Sequence, residues 1–237
     1  MNLRDFFRFR RSRKDSDDAQ PDAEPLRRRE LRNAWRALET EDFDTAAMLG
    51  QEHVNATDGE LALESKKIVA LAQFRKEHYS VATPLFQEIA NSTNDVADWF
   101  NVVTSATLSD DINLGEHAFQ QCLKCQESAG HSQQPSVPFM RQFYACALRD
   151  RGEFGKALEQ IEELRSIYEQ LKITDDTFVY IRGVPFLSHT MDVAIDVFRG
   201  MGDSFDPNGW IDSFASKLDD DGREYLQNVK ERIARGN

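Results

Sequence analysis

Three cysteines are the side chains of this sequence best suited to redox or metal chemistry, and Cys122 and Cys125 have the Cys-x-x-Cys spacing. That spacing is typical of redox pairs and of one half of a zinc site. Redox pairs favour the exposed N-terminus of a helix, where the thiol pKa falls, whereas this pair lies well inside a helix predicted to begin near Asn113. We expect both cysteines to pack as small apolar side chains. The alternative is zinc held together with His117 or His131.

Signatures of the common enzyme classes do not occur in the sequence. It has no Gly-x-Ser-x-Gly, no phosphate-binding loop, no Gly-x-Gly-x-x-Gly and no His-Glu-x-x-His. Ser204, Asp206 and Asn208 resemble the start of a calcium loop, but Ala215 stands where the bidentate glutamate belongs. We interpret residues 206–209 as a turn leading into a helix. The sequence therefore predicts a protein that is not an enzyme, with no catalytic residues, no metal and no cofactor.

The helices that would position any site are indicated by the spacing of alanines. Four alanine pairs have an internal separation of twelve residues and recur after 36, 36 and 39 residues: Ala34 and Ala46, Ala70 and Ala82, Ala106 and Ala118, Ala145 and Ala157. Three residues before the second alanine of each pair stand Phe43, Tyr79, Gly115 and Phe154. Small residues at a fixed period in the mid-thirties are typical of stacked helix-turn-helix units. The pattern predicts an all-α protein.

This pattern resembles the tetratricopeptide repeat, whose period is about 34 residues. Four units cover residues 26–172, and the segment from Ala145 to Ala157 is the most typical of them. The sequence departs from the repeat at Gly115, where an aromatic residue is expected, and at Gly50, where a bulky residue is expected. The resemblance implies an α-solenoid of about four repeats, followed by a C-terminal helical cap.

Three segments are predicted along the chain. Residues 1–25 form a flexible arm with a basic start and an acidic continuation, residues 26–172 hold the four repeats, and residues 173–237 form the capping helices. Asp175 is predicted to cap a short helix that ends near Gly183. The last helix is predicted to carry Leu226, Val229 and Ile233 on one face.

The resemblance also implies a function, that of a non-enzymatic scaffold for protein–protein interaction. In the family, the first helix of each unit lines a concave groove that binds peptides. The groove positions in this chain are Leu31, Trp35, Leu38, Leu71, Phe74, Phe100, Val103 and Phe139. Because this set is apolar, it predicts a partner's amphipathic helix as ligand, with the last helix of the chain covering the C-terminal half of the groove. The basic and amide side chains with which some family members clamp C-terminal carboxylates are absent from these positions.

Charge narrows the classes of partner. The chain has 41 acidic and 29 basic residues and a net charge of −12, which disfavours nucleic acid as a partner. No apolar run approaches the length of a membrane-spanning helix, and the N-terminus lacks the apolar stretch of a secretory signal. A soluble, cytoplasmic protein is expected.

Residues 1–14 depart from the acidic composition of the chain, since they contain six basic side chains and one acid. Leu3, Phe6, Phe7 and Arg8 belong to a basic and aromatic stretch that is either an unstructured tail or a peripheral contact to anionic lipid at the inner face of a membrane. A further alternative to the scaffold is a structural element that assembles with itself.

Overall fold

The structure, a computed structural model, describes residues 26–130 and 133–235. Within these ranges the chain forms twelve α-helices and one short 3-10 helix, and no β-strand. The predicted all-α class is therefore confirmed for the described part of the chain. The helices are α1 (Leu26–Glu39), α2 (Phe43–Gln51), α3 (Gly59–Arg75), α4 (Tyr79–Thr93), α5 (Val96–Leu108), α6 (Ile112–Ser128), α7 (Val137–Asp150), α8 (Phe154–Leu171), α9 (Asp176–Ile181), α10 (Leu187–Met201), α11 (Pro207–Ala215) and α12 (Asp220–Ala234), and the 3-10 helix is Gly202–Ser204.

The first eight helices form four hairpins that share one turn. Each hairpin is closed by three residues: 40–42, 76–78, 109–111 and 151–153. The middle residue of each turn has a left-handed backbone: Glu41 (φ 66°), Glu77 (φ 63°), Asp110 (φ 69°) and Gly152 (φ 75°). The next residue donates its N–H to the carbonyl five residues earlier, over 2.9 Å in all four turns. This arrangement satisfies the last carbonyls of the first helix, as in a Schellman motif.

The shared turn corrects the predicted register of the third unit. The left-handed residues are spaced by 36, 33 and 42 positions, whereas the alanine pairs are spaced by 36, 36 and 39. Counted from Asp110, the positions that hold alanine in the other three hairpins hold Val103 and Gly115, and the third alanine pair lies three residues further along both helices. The prediction that Gly115 takes the place of an aromatic residue is wrong, since that place belongs to Ile112, the first residue of α6.

Small residues allow the two helices of a hairpin, and neighbouring helices, to approach closely. All eight alanines of the four pairs are buried. A Cβ added to Gly115 would lie only 2.4 Å from Oγ1 of Thr107 on α5, and a Cβ added to Gly50 would lie 2.9 Å from Cγ2 of Val69 on α3. Because such distances are below van der Waals contact, these two glycines set the spacing of α5 with α6 and of α2 with α3.

Residue contacts divide the chain into two compact units, unit 1 up to Cys125 and unit 2 from Gln126. In unit 1 every residue of α5 is buried, including Asp98, which accepts hydrogen bonds from Lys67 Nζ and Thr93 Oγ1, both over 2.9 Å. In unit 2 the largest fully buried side chains include Tyr144, Tyr168 and Phe214.

Two helices after residue 172 begin at predicted residues, and one of them also ends where expected. The carboxylate of Asp175 accepts the N–H of Phe178 over 2.8 Å and starts α9, and Gly183, with φ 69°, ends it. The carboxylate of Asp206 accepts the N–H of Gly209 over 3.0 Å and starts α11. The prediction that residues 206–209 form a turn into a helix is confirmed.

One predicted contact of the C-terminal helices is corrected. In unit 2, α10 lies against both α7 and α8, while α12 packs on α10 and α11. Leu226 and Val229 of α12 are buried and Ile233 is half-buried. The C-terminal segment therefore does cover α7, but through α10 rather than through the last helix.

Cys122 and Cys125 lie buried on α6. Their thiols contact the backbone carbonyls of Val96 (3.5 Å) and Asn94 (3.4 Å), respectively. Burial raises the pKa of the Cys125 thiol, and the nearby carboxylate of Asp95 adds a smaller effect in the same direction. A buried thiol that keeps its proton behaves as a small apolar side chain, so the predicted packing role is confirmed.

The predicted membrane-contact residues Leu3, Phe6, Phe7 and Arg8 lie outside the described residues. Among the helices that the structure describes, none combines the length and the apolar character needed to cross a bilayer.

Candidate binding surface

Four rings follow one another across the surface of unit 2. The ring of Phe139 on α7 meets that of Tyr180 on α9 edge to face, with 6.4 Å between centroids. Tyr180 lies 5.9 Å from Phe186, and Phe186 lies 5.2 Å from the imidazole of His189 on α10. These separations are typical of interacting aromatic pairs. We call Phe139, Tyr180, Ile181, Phe186 and His189 the aromatic surface.

The aromatic surface is open to solvent at α9. Tyr180 is 61% exposed and its neighbour Ile181 is 75% exposed, while Phe139, Phe186 and His189 are half-buried. Single exposed apolar side chains are common, but contiguous apolar patches on soluble proteins mark interaction sites. The exposed ends of Tyr180 and Ile181 therefore offer contact area to a ligand.

The local sequence explains why these side chains point outward. Helix α9 has only six residues, and its buried side chain is Val179. A helix this short can turn one face towards the core, so Tyr180 and Ile181 remain outside. The ring of Phe178 is covered by the guanidinium of Arg182, whose Cζ lies 3.5 Å from the ring centroid.

Hydrogen bonds beneath the aromatic surface fix α10 and its preceding loop to α7 and α8. The amide of Gln142 on α7 donates to the carbonyl of His189 over 3.1 Å and accepts the hydroxyl of Thr190 over 2.8 Å. The hydroxyl of Tyr168 on α8 donates to the carbonyl of Pro185 over 2.7 Å. Burial raises the pKa of Tyr168, so the phenol stays a donor. These bonds give the aromatic surface a rigid base.

A second contact anchors the start of α7 to the end of α9. The hydroxyl of Ser136, the residue before α7, donates to the carbonyl of Gly183. A Cβ on Gly183 would lie 3.1 Å from Ser136, and its φ of 69° favours glycine. Phe139 and Tyr180 are therefore held on elements that are tied together a few residues away.

The electrostatic environment of the aromatic surface is set by acids. Burial lowers the pKa of His189, and the carboxylates of Asp192 and Asp176 partly oppose that effect. Asp192 also pairs with Arg232 over 3.0 Å. Residues 126–237 together contain 19 acidic and 13 basic side chains. A ligand with basic residues beside its apolar anchors would match this charge.

The thiol of Cys146, on α7, is buried in the interior of unit 2, and burial changes its pKa. Burial raises its pKa from the ordinary 9.0 to about 11, with smaller effects from Arg149 and Asp150. A thiol with so high a pKa is protonated near neutral pH and is a poor nucleophile. Cys146 therefore acts as a packing side chain.

The structure divides the eight predicted groove residues into two groups. Trp35, Leu38, Leu71 and Phe139 are half-buried, so each keeps some accessible surface. Leu31, Phe74, Phe100 and Val103 are buried. A buried side chain offers no area to a ligand in this conformation, so these four belong to the core rather than to an open groove. For Val103 the reason is its register, since it takes the inward position of the alanines.

Sequence reasoning identified Phe139 but missed the four other members of the aromatic surface. A signal existed in the run of apolar residues from Phe178 to Ile181, which lies between the cap at Asp175 and Gly183. A segment this short cannot bury four consecutive apolar side chains in one helical face.

Comparisons with protein-family models, with curated proteins and with solved structures find no match to this chain.

Proposed function

We propose that this protein is a non-enzymatic binding module and that its aromatic surface holds a peptide or helix of a partner protein. The observation that carries the proposal is the row of rings from Phe139 to His189, within which Tyr180 and its neighbour Ile181 are exposed. Aromatic anchors on a rigid base provide contact area at low entropic cost. Phe139 lies on the first helix of its hairpin, the helix to which the tetratricopeptide resemblance assigns ligand binding.

The same proposal treats the four hairpins as tetratricopeptide-like repeats of an α-solenoid with a helical cap. Support comes from the turn shared by all four hairpins and from the buried alanines at their helix contacts. The ligand that fits best is an amphipathic segment with apolar residues at helical spacing. Basic residues beside those anchors would match the acidic character of unit 2.

Site-specific photo-crosslinking in the full-length chain tests the proposal. A photoreactive phenylalanine analogue replaces Tyr180 in one variant and Val81, an exposed residue of α4, in a control variant. In lysate of the source cells, position 180 is expected to give discrete crosslinked products that position 81 does not. Phe139→Ala and Phe186→Ala should each weaken them.

The same experiment separates the alternatives. Products made only of two copies of this chain would favour self-assembly, which sedimentation at several concentrations would then follow. Identical products from both positions, or none from position 180, would contradict the proposal.

A peripheral membrane contact is a second candidate function, favoured by the basic and aromatic sequence of residues 1–14. Flotation with vesicles of anionic lipid compares the full chain with a variant that lacks residues 2–14. Co-flotation of the full chain alone is expected. Equal behaviour of the two proteins would exclude the arm as the anchor.

A further inference from the structure

Three metal-ligating side chains converge in the first hairpin of unit 1. Glu30 belongs to α1, and Glu52 and His53 directly follow α2. Nε2 of His53 lies 2.9 Å from Oε2 of Glu30. One ligand atom from each of the three residues lies within 4.8 Å of the other two.

The position of His53 is unusual when the four hairpins are compared. Counted from the left-handed residue of each turn, the equivalent positions hold Ile89, Cys122 and Leu164, which are all buried. The first hairpin thus has an imidazole where the others have a core side chain. That imidazole is only 12% exposed and faces the carboxylate of Glu30.

The carboxylates of Glu30 and Glu52 contribute negative charge to this site. Among the described residues, neither Glu30 nor Glu52 forms an ion pair with a lysine or an arginine. Glu52 is also the C-cap of α2, where the carbonyl groups give the helix a partial negative charge. Two carboxylates, an imidazole nitrogen and a helix C-terminus together form an environment that favours a cation.

We propose that Glu30, Glu52 and His53 bind a divalent transition-metal ion, with zinc as the reference. An imidazole ligand favours such ions over magnesium and calcium, which prefer oxygen alone. Zinc bonds of about 2.0–2.2 Å in tetrahedral geometry separate the ligand atoms by about 3.3 Å. The side chains already approach this spacing, and rotation of the exposed Glu52 supplies the remaining adjustment. Bound metal would tie α1 to the end of α2.

Calorimetric titration of the full-length chain with zinc, after treatment with a chelator, tests the site. One ion per chain is expected at pH 7, with magnesium giving no comparable binding. His53→Gln, Glu30→Gln and Glu52→Gln should each lower the zinc affinity at least about tenfold, since loss of an outer-shell partner of a metal ligand already has an effect of that size.

Two matched controls locate the metal. His78→Gln changes an exposed histidine whose ring contacts Gln73, and the double variant Cys122→Ala, Cys125→Ala removes the thiol pair of α6. Both should keep the zinc affinity of the unchanged chain. X-ray absorption should then show nitrogen and oxygen neighbours and no sulfur at about 2.3 Å.

Circular dichroism establishes that each variant is folded, and Glu52→Gln is the safest of them because Glu52 is exposed. The proposal is overturned if the folded chain binds no zinc at micromolar concentration, if His53→Gln and Glu52→Gln keep full affinity, or if the cysteine variant loses the metal. It concerns unit 1 alone and does not depend on a ligand for the aromatic surface.

Discussion

The backbone of Gly115 on α6 lies so close to Thr107 on α5 that an added Cβ would stand 2.4 Å from the threonine Oγ1. Thr107 cannot yield easily, because it is buried and its hydroxyl donates to the carbonyl of Val103 over 2.7 Å. The glycine is therefore a requirement of the third hairpin, although the other three hairpins have alanine at this position.

Gly115→Ala is expected to lower the free energy of unfolding by about 1–3 kcal/mol through overpacking. In a chain that already carries Thr107→Ala, the same change should cost clearly less, since the clashing hydroxyl is gone. Urea denaturation of the unchanged chain, the two single variants and the double variant measures the coupling energy between positions 107 and 115. Equal costs in both backgrounds would show that the close contact does not explain the glycine.

Two glycines near the start of α8 predict opposite effects of one substitution. Gly152 has φ 75°, so Gly152→Ala should lower the free energy of unfolding by about 1–2 kcal/mol. Gly155 is exposed and helical, and a Cβ added to it would meet no atom of another element within 4 Å, so Gly155→Ala should raise the free energy of unfolding by up to about 1 kcal/mol. Gly152→Asn serves as control and should cost less than Gly152→Ala. A shift of the same sign for both alanine variants would contradict the turn geometry.

Because Cys122 and Cys125 are buried, their replacement should reduce stability and leave partner binding unchanged. Replacing both with alanine should lower the free energy of unfolding by roughly 1–3 kcal/mol, as for lost buried volume. Capture of a partner should be unchanged. Denaturation and the crosslinking assay at position 180 measure the two effects. Loss of crosslinking in a folded double variant would assign the pair a role in binding.

The raised pKa of Cys146 predicts a decline of stability in alkaline solution. Its thiol titrates near the ordinary 9.0 when unfolded and near 11 when folded. Between these values the unfolded chain releases a proton that the folded chain keeps, so stability must fall as the pH rises. The slope reaches up to about 1.4 kcal/mol per pH unit.

Denaturation of the chain and of Cys146→Ala between pH 8 and 11 checks this slope. Below the unfolded pKa the thiol is protonated in both states and contributes no pH dependence. The free energy of unfolding of the variant should fall less steeply above pH 9. Burial also raises the pKa of Tyr168, which lowers the stability of both proteins at higher pH. Parallel curves would show that the Cys146 thiol is not buried.

Exposure within α9 predicts that its surface can be changed without unfolding the protein. Tyr180→Ser and Ile181→Ser should each change the free energy of unfolding by less than about 0.5 kcal/mol, as for exposed positions. Val179→Ala in the same helix should cost about 1–3 kcal/mol, because Val179 is buried. Thermal and urea denaturation provide the comparison. A large cost at Tyr180 would mean that the ring supports the fold.

Much of the helical architecture was predictable from sequence, because the signals are local. The alanines mark helix contacts in three hairpins, and the capping carboxylates of Asp175 and Asp206 start α9 and α11 where expected. Capping and left-handed turns involve residues within about five positions of one another, so their chemistry can be read along the chain. The burial of Cys122 and Cys125 was also expected, although the structure gives Cys122 the place that Leu164 holds in the fourth hairpin.

Only the tertiary structure decided the register of the third hairpin, the aromatic surface and the pairing of His53 with Glu30. Asp110 adopts the left-handed turn without a glycine to mark it, and Val103 and Gly115 fill positions that elsewhere hold alanine. Phe139 and Tyr180 are 41 residues apart in sequence, and His53 and Glu30 are 23 apart. Such contacts depend on how helices pack. Packing energy is spread over many side chains, and the local sequence of a side chain does not identify the residues that it contacts.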